Sequence, residues 1–130
     1  MSEDARVLVD TSAWLDYFAG AAPAVSALDH LMNEDRVVVC GQIIQEVLQG
    51  ARDERSLTKL EHAMSTWSHV AETPADFVEA ARLYARLRWK GVTVPPSDCL
   101  IAAVAKRSAL AVFATDPHFG MIPGLRLLKR

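Results

Sequence analysis

Apolar residues fall along this chain in two alternating patterns. Short unbroken runs rich in β-branched residues, Val7-Leu8-Val9, Val37-Val38-Val39-Cys40 and Ala111-Val112-Phe113-Ala114-Thr115, have the form of strands buried on both faces. Between them, apolar residues recur every three or four positions, as on one face of a helix. The first such stretch carries Trp14, Leu15 and Phe18; it is capped by Thr11 or Ser12 and ended by Gly20. A second has Pro23 in its first turn and presents Val25, Leu28, Leu31 and Met32. Gly41 breaks the strand before it, and the helix that follows turns Ile43, Ile44, Val47 and Leu48 inward.

The same spacing, through Leu57, Leu60 and Met64, predicts a helix over 54–67. A short strand is expected near 69–71, then a long helix from Pro74 to about Trp89, stopped by Gly91. Ser97, after the Pro95-Pro96 turn, is the expected cap of a helix bearing Leu100, Ile101, Val104 and Ala105. A last short strand is expected at 125–128. Strands alternating with helices predict an α/β layer structure around a mainly parallel sheet. With no repeat or linker, residues 1–130 form one domain.

Composition narrows the classes. At 51% hydrophobic and 23% charged residues, the chain can bury a core and is not a disordered segment. A net charge of -2 argues against holding nucleic acid through the overall field, so any such contact is local or bridged by a metal ion. Cys40 and Cys99 form no C-x-x-C pair, which fits a reduced compartment. The start Met1-Ser2-Glu3-Asp4 is acidic, unlike a secretory signal, and no run is long enough to span a membrane. The expected location is the cytoplasm.

The candidate chemistry lies in four acids. Asp10 ends the first strand and Asp116 follows the third apolar run; in open α/β sheets ligands bind beyond such carboxyl ends. Glu46 lies in the first turns of the helix after the second strand, and Asp98 opens a helix behind a rigid Pro-Pro turn. Any one of them has an ordinary structural explanation: a turn residue, a helix-dipole partner, a surface acid. Together on one rim they repel one another unless a cation neutralises them. Oxygen ligands suit Mg2+, with Mn2+ as a substitute, and there is no His/Cys cluster to favour zinc.

The residues around these acids resemble a known family. Val9-Asp10-Thr11-Ser12-Ala13-Trp14-Leu15 resembles the opening of PIN-domain proteins, in particular the VapC-type toxins of bacterial and archaeal toxin–antitoxin pairs. Gln45-Glu46-Val47-Leu48-Gln49-Gly50, Pro95-Pro96-Ser97-Asp98-Cys99-Leu100-Ile101-Ala102-Ala103 and Ala114-Thr115-Asp116-Pro117-His118-Phe119 are similar to that family's second, third and fourth motifs, in its order. The resemblance implies a PIN-like three-layer domain with a five-stranded parallel sheet, order 3-2-1-4-5, flanked by helices. It implies a Mg2+-dependent endoribonuclease that cleaves RNA by metal-activated water. Asp10, Glu46, Asp98 and Asp116 would be catalytic, with Asp10, Asp98 and Asp116 as metal ligands. Thr11 and Ser12 would orient them. A VapB-type antitoxin, an RNA substrate and a homodimer are the implied partners.

The chain departs from the family pattern at His118, which stands where many relatives carry a further acid. Imidazole is a poorer magnesium ligand than carboxylate, so His118 is expected to be a substrate contact or a surface residue. Arg82, Arg86 and Lys90 share a helical face and offer a further substrate contact, although on charge alone a solvated face paired with acids such as Glu79 accounts for them better; Arg52, Arg55 and Lys59 form a second basic group, with surface again the better account. Trp14, Tyr17 and Phe18 cannot all face inward, which leaves an apolar patch for a partner. Haloacid-dehalogenase-like phosphatases would need an aspartate where Ser12 stands, response-regulator receivers a second acid near the first strand, and dinucleotide binders a glycine-rich first turn. The alternative from another class is a non-catalytic PIN-like binding module, which would have lost an acid.

Overall fold

A computed structural model describes residues 5–128. The acidic start at 1–4, used above against a secretory signal, lies outside the described residues. The chain runs β1 (Val7–Val9), α1 (Thr11–Phe18), α2 (Ala22–Asn33), β2 (Val37–Val39), α3 (Gly41–Leu48), α4 (Glu54–Ser65), β3 (Ser68–His69), α5 (Pro74–Trp89), α6 (Pro96–Arg107), β4 (Ala111–Phe113) and a short 3-10 turn over Pro117–Met121. A pair of helices separates each strand from the next. Such long crossovers let every strand pair parallel to its neighbour.

The sheet order is β3-β2-β1-β4, and all its pairings are parallel: Val7 opposite Val37 and Ala111, Val38 opposite Ser68. This agrees with the expected 3-2-1-4 core. The fifth position is filled by a single parallel bridge, Val112 to Leu127, so the expected last strand is reduced to one residue pair beside β4. β1, β2 and β4 are buried along their full lengths, as their unbroken apolar runs required. Leu8, Trp14, Leu28, Leu31, Ile43, Met64, Ile101 and Phe119 fill the core around them. α6 is apolar nearly all round; Cys99 to Ala105 are buried without interruption, and its main partner is α5.

Several boundaries differ from the sequence expectation, each for a local reason. Asp10 is itself the N-cap of α1, accepting from the Ser12 backbone, so neither Thr11 nor Ser12 caps it. Cys40 is the N-cap of α3 and Gly41 its first residue, so Gly41 starts the helix and does not merely break a strand. α6 begins at Pro96 with Pro95 before it, which places Ser97 inside the helix. α4 ends at Ser65, before Trp67, and β3 takes up Ser68–His69. β4 ends at Phe113, leaving two residues before Asp116. Both cysteines are buried and free, and burial pushes the Cys40 thiol up to about 12, which leaves it inert near neutral pH.

Candidate metal centre

The order β3-β2-β1-β4 reverses direction at β1. From there the chain builds outward through β2 and β3, then returns to the other side with β4. Loops at the carboxyl ends of β1 and β4 diverge above such a point and leave a crevice. Asp10 leaves β1 there, its N–H bonded to the Phe113 carbonyl at 2.9 Å, and Asp116 follows β4.

Ser12 joins these two acids. Its hydroxyl donates to Asp10 Oδ2 at 2.7 Å, and its backbone N–H donates to the same oxygen at 3.0 Å. The hydroxyl oxygen in turn accepts the N–H groups of Thr115 and Asp116, at 3.0 and 3.2 Å. One side chain therefore fixes the Asp10 carboxylate and the β4 loop together. Thr11 does the same for the next acid: its hydroxyl donates to Glu46 Oε1 at 2.9 Å across from α3. Glu46 is half-buried on that helix between Ile43 and Val47, which enter the core. Asp98 sits in the first turn of α6 and is only 7% exposed.

Asp98 is the most strained of the four electrostatically. Its Oδ2 is buried and has no hydrogen-bond partner. Burial, then the negative charge of Asp10, then Asp116 and Glu46 push its carboxyl up to about 8. The helix N-terminus on which it sits favours an anion, but that effect is too small to win here. Burial also raises Asp10, against the opposing bonds from Ser12. At Asp116 burial acts upward too, but the backbone and ring of His118 outweigh it and hold the carboxyl below its usual value. The repulsion among the acids therefore falls most heavily on Asp98.

His118 is half-exposed and lies beside the acids. Its backbone N–H donates to Asp116 Oδ1 at 2.8 Å, and its ring Nδ1 lies 2.6 Å from the same oxygen. Nδ1 is also 4.0 Å from Asp98 Oδ2. Asp98, Asp116 and His118 each offer one ligand atom within 4.8 Å of the others, a grouping of the described residues that could hold a metal ion. The basic residues are placed elsewhere. Arg82 pairs with Glu79 at 3.6 Å on an exposed face, and Arg86 lines a hollow with Lys90 and Lys106; neither bonds to the four acids. Arg52, Arg55 and Lys59 are exposed.

Glu72 was not singled out in the sequence. Its two carboxylate oxygens accept the Gly41 and Gln42 N–H groups at 3.1 and 2.7 Å, holding the start of the helix that bears Glu46. A Cβ at position 41 would stand 3.0 Å from Glu72 Oε1, so Gly41 permits the close approach. Only the threading of β3 under α3 brings these distant residues together, and no local signal announces that.

Comparison with known proteins places this geometry. The PIN domain family profile matches residues 7–125. Ribonuclease VapC11 of Mycobacterium tuberculosis (strain ATCC 25618 / H37Rv) is 35% identical over 129 residues, covering 95% of this chain and 96% of the relative. Among solved structures, VapBC2 from Rickettsia felis bound to a promoter DNA fragment superposes with a TM-score of 0.79 at 18% identity, over 94% of this chain and 96% of that one. DNA-bound VapBC from Salmonella typhimurium gives 0.79 at 22% identity, over 95% and 97%.

Proposed function

The chain belongs to the PIN-domain family, and from that premise we propose that it is a metal-dependent endoribonuclease, the toxin of a VapBC-type toxin–antitoxin pair. We assign residues 1–130 to a single PIN domain. The observation that carries the catalytic reading is Asp98 Oδ2, an orphaned oxygen facing a cluster of like charges. A buried carboxylate without partners is costly, and a divalent cation is the partner that removes the cost. The donor set is rich in carboxylate oxygen, which suits Mg2+, with Mn2+ as the substitute.

Asp10, Asp98 and Asp116 would hold the ion, and Glu46 would complete the acidic wall. A divalent cation in such a site supplies Lewis acidity toward the scissile phosphate and lowers the pKa of water. The rest is the work of the chain itself. Ser12 and Thr11 fix the directions of the Asp10, Asp116 and Glu46 carboxylates before substrate arrives. Asp98, whose carboxyl is raised by burial and by the neighbouring acids, would offer its unpartnered oxygen to the cation. Val9, Phe113 and Phe119, all buried, keep the floor of the site dry.

Relatives of this fold are known as complexes of VapB and VapC. By that likeness the partner is a VapB-type antitoxin. Leu15 and Phe18, 50% and 42% exposed on the helix that begins at Asp10, offer an apolar surface for it. A homodimer would cover apolar residues left exposed on α5, Phe77 and Val78 among them. Arg82 and Arg86 stand away from the acids and would meet RNA only at a distance from the scissile phosphate.

The test is cleavage of RNA by purified protein with Mg2+, with EDTA, and with Asp98→Asn, beside single-stranded DNA as a parallel substrate. Cleavage of RNA that needs the ion and the carboxylate supports the proposal. Cleavage that persists in EDTA or in the Asn variant overturns it. Absence of cleavage by a folded wild type on any RNA tried favours a binding module.

A further inference from the structure

We propose that His118 is an inner ligand of the metal centre through Nδ1, making the site a mixed nitrogen–oxygen site that favours Mn2+ and later divalent ions over Mg2+. The proposal rests on the metal-dependent reading above and goes beyond its carboxylates.

Three observations support it. The first is direction: Nδ1 faces the acids, 2.6 Å from Asp116 Oδ1 and 4.0 Å from Asp98 Oδ2. Adjacent ligand atoms on an octahedral ion stand about 3 Å apart and opposite ones about 4 Å, given metal–oxygen bonds of roughly 2.1 Å. The two observed separations, 2.6 and 4.0 Å, each lie within a few tenths of an ångström of those values, so Nδ1 can join either oxygen on one ion with a shift of that size. The second is anchorage. The His118 backbone N–H is bonded to Asp116 at 2.8 Å, at the start of a 3-10 turn whose Phe119 is buried in the core. The ring is therefore carried by a fixed backbone and does not reach in from a free loop. The third is the unpartnered oxygen: Asp98 Oδ2, buried and without a hydrogen-bond partner, lies 4.0 Å from Nδ1, and Asp98, Asp116 and His118 offer ligand atoms within 4.8 Å of one another.

The chemical consequence follows from ligand type. Carboxylate and water suit Mg2+ and Mn2+ alike, whereas imidazole raises affinity along the series from Mn2+ upward. Exchanging an acid for imidazole also takes one negative charge from the site, which weakens Mg2+ most, because its binding rests on charge.

The experiment uses the full-length, tag-free protein with Mn2+ alone, read by pulsed electron paramagnetic resonance and by titration calorimetry, with Mg2+ as the competitor. The expected result is nitrogen modulation of the Mn2+ echo in the wild type that is lost in His118→Ala. Mn2+ affinity should fall roughly 10-fold in that variant, with Mg2+ affinity changed much less. His118→Asp should remove the nitrogen signal and restore preference toward Mg2+, and circular dichroism of each variant checks that it is folded. Mn2+ bound without nitrogen modulation in the wild type overturns the role of His118 while leaving the carboxylate site standing. No Mn2+ binding at all overturns both.

Discussion

The Ser12 hydroxyl donates to Asp10 at 2.7 Å while accepting the Asp116 backbone N–H at 3.2 Å, so one small side chain sets the spacing of two acids that lie on neighbouring strand ends. Ser12→Ala keeps the helix and the backbone bond to Asp10 but cuts the link from Asp10 to the loop that carries Asp116. We expect cleavage to fall by about 10- to 100-fold, as when a supporting residue behind a metal ligand is lost, with a stability cost of about 1–2 kcal/mol. Initial rates and denaturant midpoints measured on the same preparation test this; a variant as active as wild type would show that the tether is dispensable.

The proton on Asp98 makes stability depend on pH in a definable window. Its carboxyl is raised in the fold from 3.8 to about 8. The folded state therefore binds more protons than the unfolded state between those values, and stability falls as pH rises through them. The favourable contribution is complete below 3.8 and gone above about 8. Asp10 acts in the same direction. Asp116, lowered in the fold, acts the opposite way, with stability lost as pH falls through its depressed value. Metal-free wild type should lose on the order of a few kcal/mol between pH 5 and pH 8. Asp98→Asn should be nearly flat there and more stable than wild type at pH 8. Chemical denaturation in chelator at several pH values reads both.

Cation binding should reverse that loss. A ligand that binds only the folded state at about 100 times its dissociation constant adds roughly 2.7 kcal/mol, several degrees of melting temperature for a domain of this size. Thermal melts with and without Mn2+ or Mg2+ at pH 8 should show the shift in wild type and little of it in Asp98→Asn or Asp10→Asn. An equal shift in all three would place the ion elsewhere.

Glu72 predicts an effect on the site from outside it. Removing its carboxylate in Glu72→Ala leaves the Gly41 and Gln42 N–H groups without partners at the start of α3. The cost should be about 2 kcal/mol, since hydrogen bonds to a charged group are the stronger kind. Glu46 rides on that helix, so cleavage should fall more than the stability loss alone accounts for. Glu72→Gln can make only one of the two bonds with its carbonyl oxygen and should lie between. Equilibrium unfolding and cleavage rates for the pair decide it.

Much of this was legible in the sequence, and the limits have physical causes. The unbroken apolar runs of β1, β2 and β4 could only be central strands, and their order with the helices implied the parallel sheet. The acids were legible because each sits beside such a landmark. Helix starts were less so: Asp10 and Cys40 turned out to be caps because the chain bends directly at the strand end, a choice set by tertiary packing. Glu72 was missed, and the contact of His118 with Asp116 was not legible, for a common reason. Those contacts depend on where Nδ1 or a carboxylate points across a loop, and spacing along the chain does not encode that. The last strand was overestimated because its residues pair with β4 at one point only.

The tether from Ser12 reaches a backbone group 104 residues further along. During synthesis on the ribosome the early part of the chain can form α1 and place Asp10, but it has nothing to close against until β4 and the turn after it have emerged. A chain that ends before β4 and the turn after it therefore lacks both the tether and the last acid, so the site is completed only when nearly the whole chain is made.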